Sequence, residues 1–174
     1  MTELPPLASE GFAPIARADA RVLLLGSLPG QKSLAEHEYY AHPQNAFWSI
    51  MRELFGVNGC YDERCMGLVT KQVAVWDVLR ASVRPGSLDA DIRQETALVN
   101  DFETFLESHV EIELIAFNGK KAEQLFRRMA PSKCIEHVRL VGLPSTSPAF
   151  ASMPYARKLD VWRAGLSPVS DVDN

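Results

Sequence analysis

Four short apolar runs punctuate the chain: Arg21–Gly26 (RVLLLG), Val73–Val78 (VAVWDV), Glu113–Phe117 (ELIAF) and Val138–Leu143 (VRLVGL). They are rich in Val, Leu and Ile and mostly do not alternate, which fits strands covered on both faces, as in a parallel sheet. Between them the apolar period lengthens to that of a helix. Phe47, Ile50, Met51 and Leu54 make one stripe over Ala46–Phe55, with Asn45 as N-cap and Gly56 as stop. Val99–Leu106 and Lys120–Met129 repeat the pattern, and Pro154 opens a last helix ending near Ala164. Strands alternating with helices imply βαβ units, and so a three-layer α/β/α sandwich around a mostly parallel four-stranded sheet. Residues 1–18 and 167–174 are polar, small or proline-rich and are expected to be flexible, leaving 19–166 as a single domain.

Composition narrows the class without naming a chemistry. The 174 residues are 47% hydrophobic and 23% charged, as in an ordinary globular domain with a real core. No apolar run approaches the ~20 residues that cross a bilayer. The start, Thr2-Glu3-Leu4-Pro5-Pro6, lacks the basic-then-apolar order of a signal peptide, so a cytoplasmic protein is expected. Cys60, Cys65 and Cys134 form no CxxC pair, and His37, His42, His109 and His137 are scattered, so no metal site is expected. The net charge of −4 works against non-specific binding to nucleic acid but leaves room for a local basic surface. Lys120, Lys121, Arg127, Arg128 and Lys133 form one such group, and Arg157, Lys158 and Arg163 another. Solvated helix faces account for both equally well.

Ligands of open α/β sheets bind beyond the carboxyl ends of the strands. Those ends are Gly26-Ser27-Leu28-Pro29-Gly30, Trp76-Asp77, Asn118-Gly119 and Leu143-Pro144-Ser145-Thr146-Ser147-Pro148. The GSLPG turn has little side-chain bulk and lets phosphate or a flat base approach the backbone, yet it is neither a Walker loop nor GxGxxG. Shortly after it comes Tyr39-Tyr40-Ala41-His42-Pro43-Gln44-Asn45-Ala46-Phe47-Trp48. Tyr39 and Tyr40 stand in a loop, where a ring either stacks on a base or staples the helix entrance. In Ser145–Ser147 three hydroxyls sit between two prolines, suited to phosphate contacts or to a plain turn. Asp77 orders a water near a substrate or caps a turn; Asn118 reads a base edge or does the same.

Taken in order, GSLPG, YYAHPQNAFW and the late LPSTSPA resemble the uracil-DNA glycosylase superfamily, and within it the DNA-deoxyinosine (hypoxanthine-DNA) glycosylases. VAVWDVLRASVRPGSLDADI and FNGKKAEQLF are similar to the same branch, so the likeness spans roughly Val22 to Trp162. The resemblance implies a base pocket lined by Gly26, Ser27, Leu28, Pro29 and Gly30. In many members the third residue of that motif is the Asp or Asn that handles the attacking water; here it is Leu28, which can do neither. In the deoxyinosine branch that role goes to the Asn of AHPxN, here Asn45. The resemblance also puts Tyr40 against the flipped base, with His42, Asp77 and Asn118 around it. It puts Ser145, Thr146, Ser147 and Pro148 on the DNA-gripping loop, with Lys120 and Arg157 as further DNA contacts and Phe150 or Met153 as apolar wedge.

The implied reaction is monofunctional. A deaminated base, hypoxanthine or uracil, is flipped out of DNA, its N-glycosidic bond is hydrolysed, and an abasic site remains. The motifs hold no lysine for a Schiff base, and neither metal nor cofactor is required. A monomer acting on DNA carrying a deaminated base is expected. Two other readings compete: a flavodoxin-like domain binding a phosphorylated small molecule at GSLPG, and a nucleic-acid-binding module without catalysis, as Leu28 would allow.

Overall fold

The computed structural model describes residues 7–130 and 132–170. Three of the predicted strands, β2 (Val22–Gly26), β3 (Val73–Asp77) and β6 (Leu114–Asn118), are buried at every position. The fourth, β7 (Arg139–Leu143), is an edge and is partly exposed. They form one parallel sheet in the order β3-β2-β6-β7. Each leucine of β2 is fully buried, a contribution of about 1.5–3 kcal/mol per side chain.

Strand order decides where the helices go. The chain leaves β2 for β3 on one side, through α1 (Gln31–Glu36), α2 (Phe47–Phe55) and α3 (Tyr61–Thr70). It later crosses to β6 and β7 on the other side through α4 (Phe102–Ser108) and α5 (Lys120–Met129). Right-handed crossovers in opposite directions put the two sets on opposite faces. Aromatic contacts agree: Phe102 of α4 meets Phe126 of α5, while Phe47 of α2 meets Trp162 of α6 (Tyr155–Ser170). The expected three-layer architecture is present, and the strand order reverses between β2 and β6. A crevice at the carboxyl ends of those two strands is where such sheets bind ligands.

Four features depart from the pattern-based reading. A small antiparallel sheet, β1 (Ala8–Glu10), β4 (Leu79–Val83) and β5 (Leu98–Val99), follows directly from β3 through Val78. The helix expected over Val99–Leu106 starts later, at Phe102, because Asp101 caps it by accepting the Thr104 N–H at 3.0 Å. The N-terminal segment is held from Ala8 onward, not loose to residue 18. Besides β1, Ile15 and Val75 exchange backbone hydrogen bonds of 2.9 and 2.8 Å, and Trp76 Nε1 donates to the Phe12 carbonyl at 3.1 Å. At the other end α6 continues past the expected stop to Ser170; residues 1–6 and 171–174 lie outside the described residues. Among the described residues no helix is long and apolar enough to cross a membrane.

Candidate active site

The carboxyl ends of β2, β3 and β6 open onto a cavity of about 410 Å³, within the range of small-ligand sites. Its floor is a close approach of three residues. In register, Gly26 of β2 pairs with Asp77 of β3. A Cβ on Gly26 would collide with the Asp77 carboxyl and come within 2.9 Å of the Tyr40 hydroxyl, so only glycine lets them meet. Asp77 is 4% exposed, and its Oδ2 has no hydrogen-bond partner among the described residues. Burial pushes its carboxyl up to about 7; nearby Arg84 opposes the shift and Asp89 adds to it. The Asp77 backbone is fixed by Asn100 Nδ2, which donates to its carbonyl at 2.8 Å.

One wall is the 26–30 turn, held from behind. Buried Arg84 donates from Nη1 to the Leu28 carbonyl at 3.2 Å and also bonds the Pro29 carbonyl. Asp89 Oδ1 accepts from Ser27 Oγ at 2.5 Å and lies 3.7 Å from Arg84. Ser87 Oγ accepts the Gln31 N–H at 3.0 Å. Arg84, Ser87, Leu88 and Asp89 all line the cavity, and none was singled out by the sequence reading. The signal was there in VRPGSLDAD, but an isolated arginine in a polar stretch looks like surface. Leu28 is buried and presents an apolar wall.

The aromatic segment divides its labour. Tyr39 is core: its backbone N–H, carbonyl and hydroxyl bond Tyr61, Trp48 and Ala13 respectively. Tyr40 turns the other way through a left-handed backbone, φ 56°, uncommon for a bulky side chain. Its ring stacks on Phe47 at 4.0 Å and lines the cavity, while its buried hydroxyl lies beside the Asn118 side chain. Burial keeps that hydroxyl protonated. Asn45 lines the cavity half-buried, its Oδ1 accepting the Phe47 N–H at 3.0 Å. It thus serves the helix entrance as expected, although Ala46 occupies the N-cap position itself. His42 is exposed at the cavity, its Nδ1 accepting the Gln44 N–H.

The opposite wall is the 145–150 loop. Asn118, at the end of β6, clamps it in both directions: Nδ2 donates to Thr146 Oγ1 at 2.8 Å, and Oδ1 accepts the Thr146 N–H at 2.9 Å. Gly119, at φ 97°, leaves room for Ser145, whose Cβ would lie 3.1 Å from an added methyl. Thr146 O in turn accepts the Ala46 N–H at 3.0 Å, tying this loop to the start of α2. Ser145, Thr146, Ser147 and Pro148 all line the cavity, as does the exposed Phe150 at its rim. Lys120 and Arg157 are exposed and are not part of the lining. Arg127 and Arg163 are taken up in helix-face pairs with Glu123 and Asp160. Lys32 also lines the cavity, its Nζ 2.7 Å from Glu36.

The geometry can be set beside known proteins. The family described as the Uracil DNA glycosylase superfamily matches residues 13–164. The chain belongs to the uracil DNA glycosylase superfamily. It is accordingly a DNA glycosylase, a hydrolase of base-excision repair whose partner is DNA. Two relatives, each named hypoxanthine DNA glycosylase, come from Methanosarcina barkeri and Methanosarcina acetivorans. They are 34% identical over 131 and 129 residues, covering 71% of this chain and 80% of each relative. A solution NMR structure of a candidate uracil DNA glycosylase from Methanosarcina acetivorans is similar over 93% of this chain and 98% of its own. It superposes with a TM-score of 0.75 at 31% identity. Family membership leaves the glycosylase without its two competitors, the flavodoxin-like domain and the non-catalytic module.

Proposed function

We propose that this glycosylase acts as a cytoplasmic monomer on DNA carrying a deaminated base, hypoxanthine first and uracil second. The observation that carries the reading is the convergence of Gly26–Gly30, Tyr40, Asn45, Asp77 and Asn118 on one cavity at the sheet's switch point. The names of the two relatives favour hypoxanthine over uracil.

The base enters between the 26–30 turn and the Tyr40 ring, whose covered face rests on Phe47. The sugar stays at the mouth, because it remains joined to the DNA. Asn45 is half-buried where Asp77 is nearly covered, which suits the amide to that mouth. Its carbonyl keeps one lone pair beyond the bond from Phe47 and holds a water behind C1′. Asparagine takes up no proton, so the work at this end is positioning. Ser145–Pro148 and Phe150 face the DNA, with Lys120 and Arg157 on the outer footprint. Lys32 leaves the monofunctional reading in place, because its Nζ is engaged by Glu36 at 2.7 Å.

The test is incubation with duplexes carrying deoxyinosine or deoxyuridine, followed by alkali. Strand cleavage that depends on both the lesion and the alkali is expected. Intact strands on both substrates would refute the reading, and breakage without alkali would refute its monofunctional part.

A further inference from the structure

Asp77 has a place that water handling does not explain. It is 4% exposed, lies where β3 ends beneath the cavity, and meets Gly26 and the Tyr40 hydroxyl there. A base on a sugar tethered to DNA must point into the cavity, with C1′ toward the opening. The buried Asp77 therefore faces the base, and the half-buried Asn45 faces the sugar. Asp77 Oδ2, on this floor, lacks a hydrogen-bond partner among the described residues. A buried carboxylate oxygen with no donor is costly to ionise, which favours the protonated carboxyl.

The charge that develops in the reaction decides which form of Asp77 is useful. As the C1′–N bond breaks, its electron pair moves onto the base. An ionised carboxylate beneath that base would oppose the charge, whereas a neutral carboxyl donates to it more strongly as it grows. Resting on the function proposed above, we infer that Asp77 is a catalytic acid, donating its proton to an acceptor atom of the departing base. In balance, the C1′–N bond breaks, the base leaves neutral with the Asp77 proton, and water adds to C1′. The proton lost by that water goes to solvent, and solvent reprotonates Asp77. No oxidant or other reactant is needed.

The surroundings support a neutral carboxyl in the free enzyme. Burial pushes Asp77 up to about 7, and the charged and titratable groups facing it come from three directions. Arg84, directly after β4, draws its pKa down, Asp89 further along the same segment pushes it up, and Tyr39 and Tyr40 face it from the segment before α2. Arg84 is itself shared with Asp89 and with the carbonyls of Leu28 and Pro29, which limits its hold on Asp77. Burial keeps Tyr40 neutral, and it presents its ring face to the base.

Single-turnover excision from a deoxyinosine duplex between pH 5.5 and 8.5 tests the assignment. The wild-type rate should be level at low pH and fall about tenfold per unit above roughly pH 7, as the acid form is lost. Asp77→Asn should excise about 100-fold more slowly and lose that fall. A wild-type rate that is flat or rises with pH would overturn the assignment without any variant, a rise pointing instead to a base. An Asp77→Asn enzyme with the wild-type rate, or with an unchanged alkaline fall, would overturn it as well. Wild-type protein inactive on deoxyinosine and deoxyuridine at every pH would refute the parent reading, a distinguishable failure.

Discussion

Because Asn45 Oδ1 accepts the Phe47 N–H, replacing Asn45 with alanine removes a helix-entry bond together with the group proposed to hold the water. The two losses differ in size. The helix entrance should cost about 1 kcal/mol, while excision should fall by about 100-fold or more. A thermal melt beside a single-turnover assay separates them, and an Asn45→Ala protein with wild-type turnover would remove Asn45 from the mechanism. Asp77 makes a second prediction at this scale, on stability. Its folded pKa of about 7 stands above the ordinary carboxyl value. The proton it keeps therefore stabilises the fold fully below about pH 4, and that contribution is lost as pH rises through 7. Asparagine carries no such proton, so the Tm of Asp77→Asn relative to wild type should increase between pH 5 and pH 8. A difference that does not vary with pH would contradict the buried, neutral carboxyl.

Among the elements, those with a long or unbroken apolar pattern were legible and the short ones were not. The buried runs around β2, β3 and β6 leave little choice but a parallel sheet, and α5 ends where its stripe ends. Helix α1 has six residues, with Ser33 as its buried position, and α3 buries Leu68 alone, so neither shows a stripe. Strands β1 and β5, of three and two residues, exist because β4 offers them a ladder, a partner no local pattern announces. The site followed the same division. Motif residues of the strand-end loops were readable, whereas Arg84 and Asp89 act by supporting the 26–30 turn from a distance in sequence. The N-terminal segment was misread for a related reason: Phe12 and Ala13 offer backbone carbonyls to Trp76 and Tyr39, and backbone partners leave no trace in side-chain pattern. Deleting residues 1–16 should therefore lower Tm by at least about 5 °C. An unchanged melt would mean that this segment only rests on the domain.

The whole molecule must bring an acidic chain onto a polyanion. With a net charge of −4, affinity has to come from a local footprint, and several helix-face cations are already paired with acids. Lys120 and Arg157 are the exposed cations assigned to the DNA here. Changing either to alanine should weaken lesion-DNA binding evenly across sequences and reduce the salt slope by about 1, leaving the single-turnover rate at saturating enzyme unchanged. A slope equal to wild type would move the footprint elsewhere. The switch-point cavity, the apolar Leu28, the half-buried Asn45 and the buried Asp77 support one proposal together: a deaminated base is released whole from its sugar. That claim is tested most directly by mass spectrometry of the products from a deoxyinosine duplex. Free hypoxanthine in amounts equal to abasic sites, with strands intact until alkali is added, is the predicted result. Absence of free base, or its appearance only with strands already broken, would contradict it.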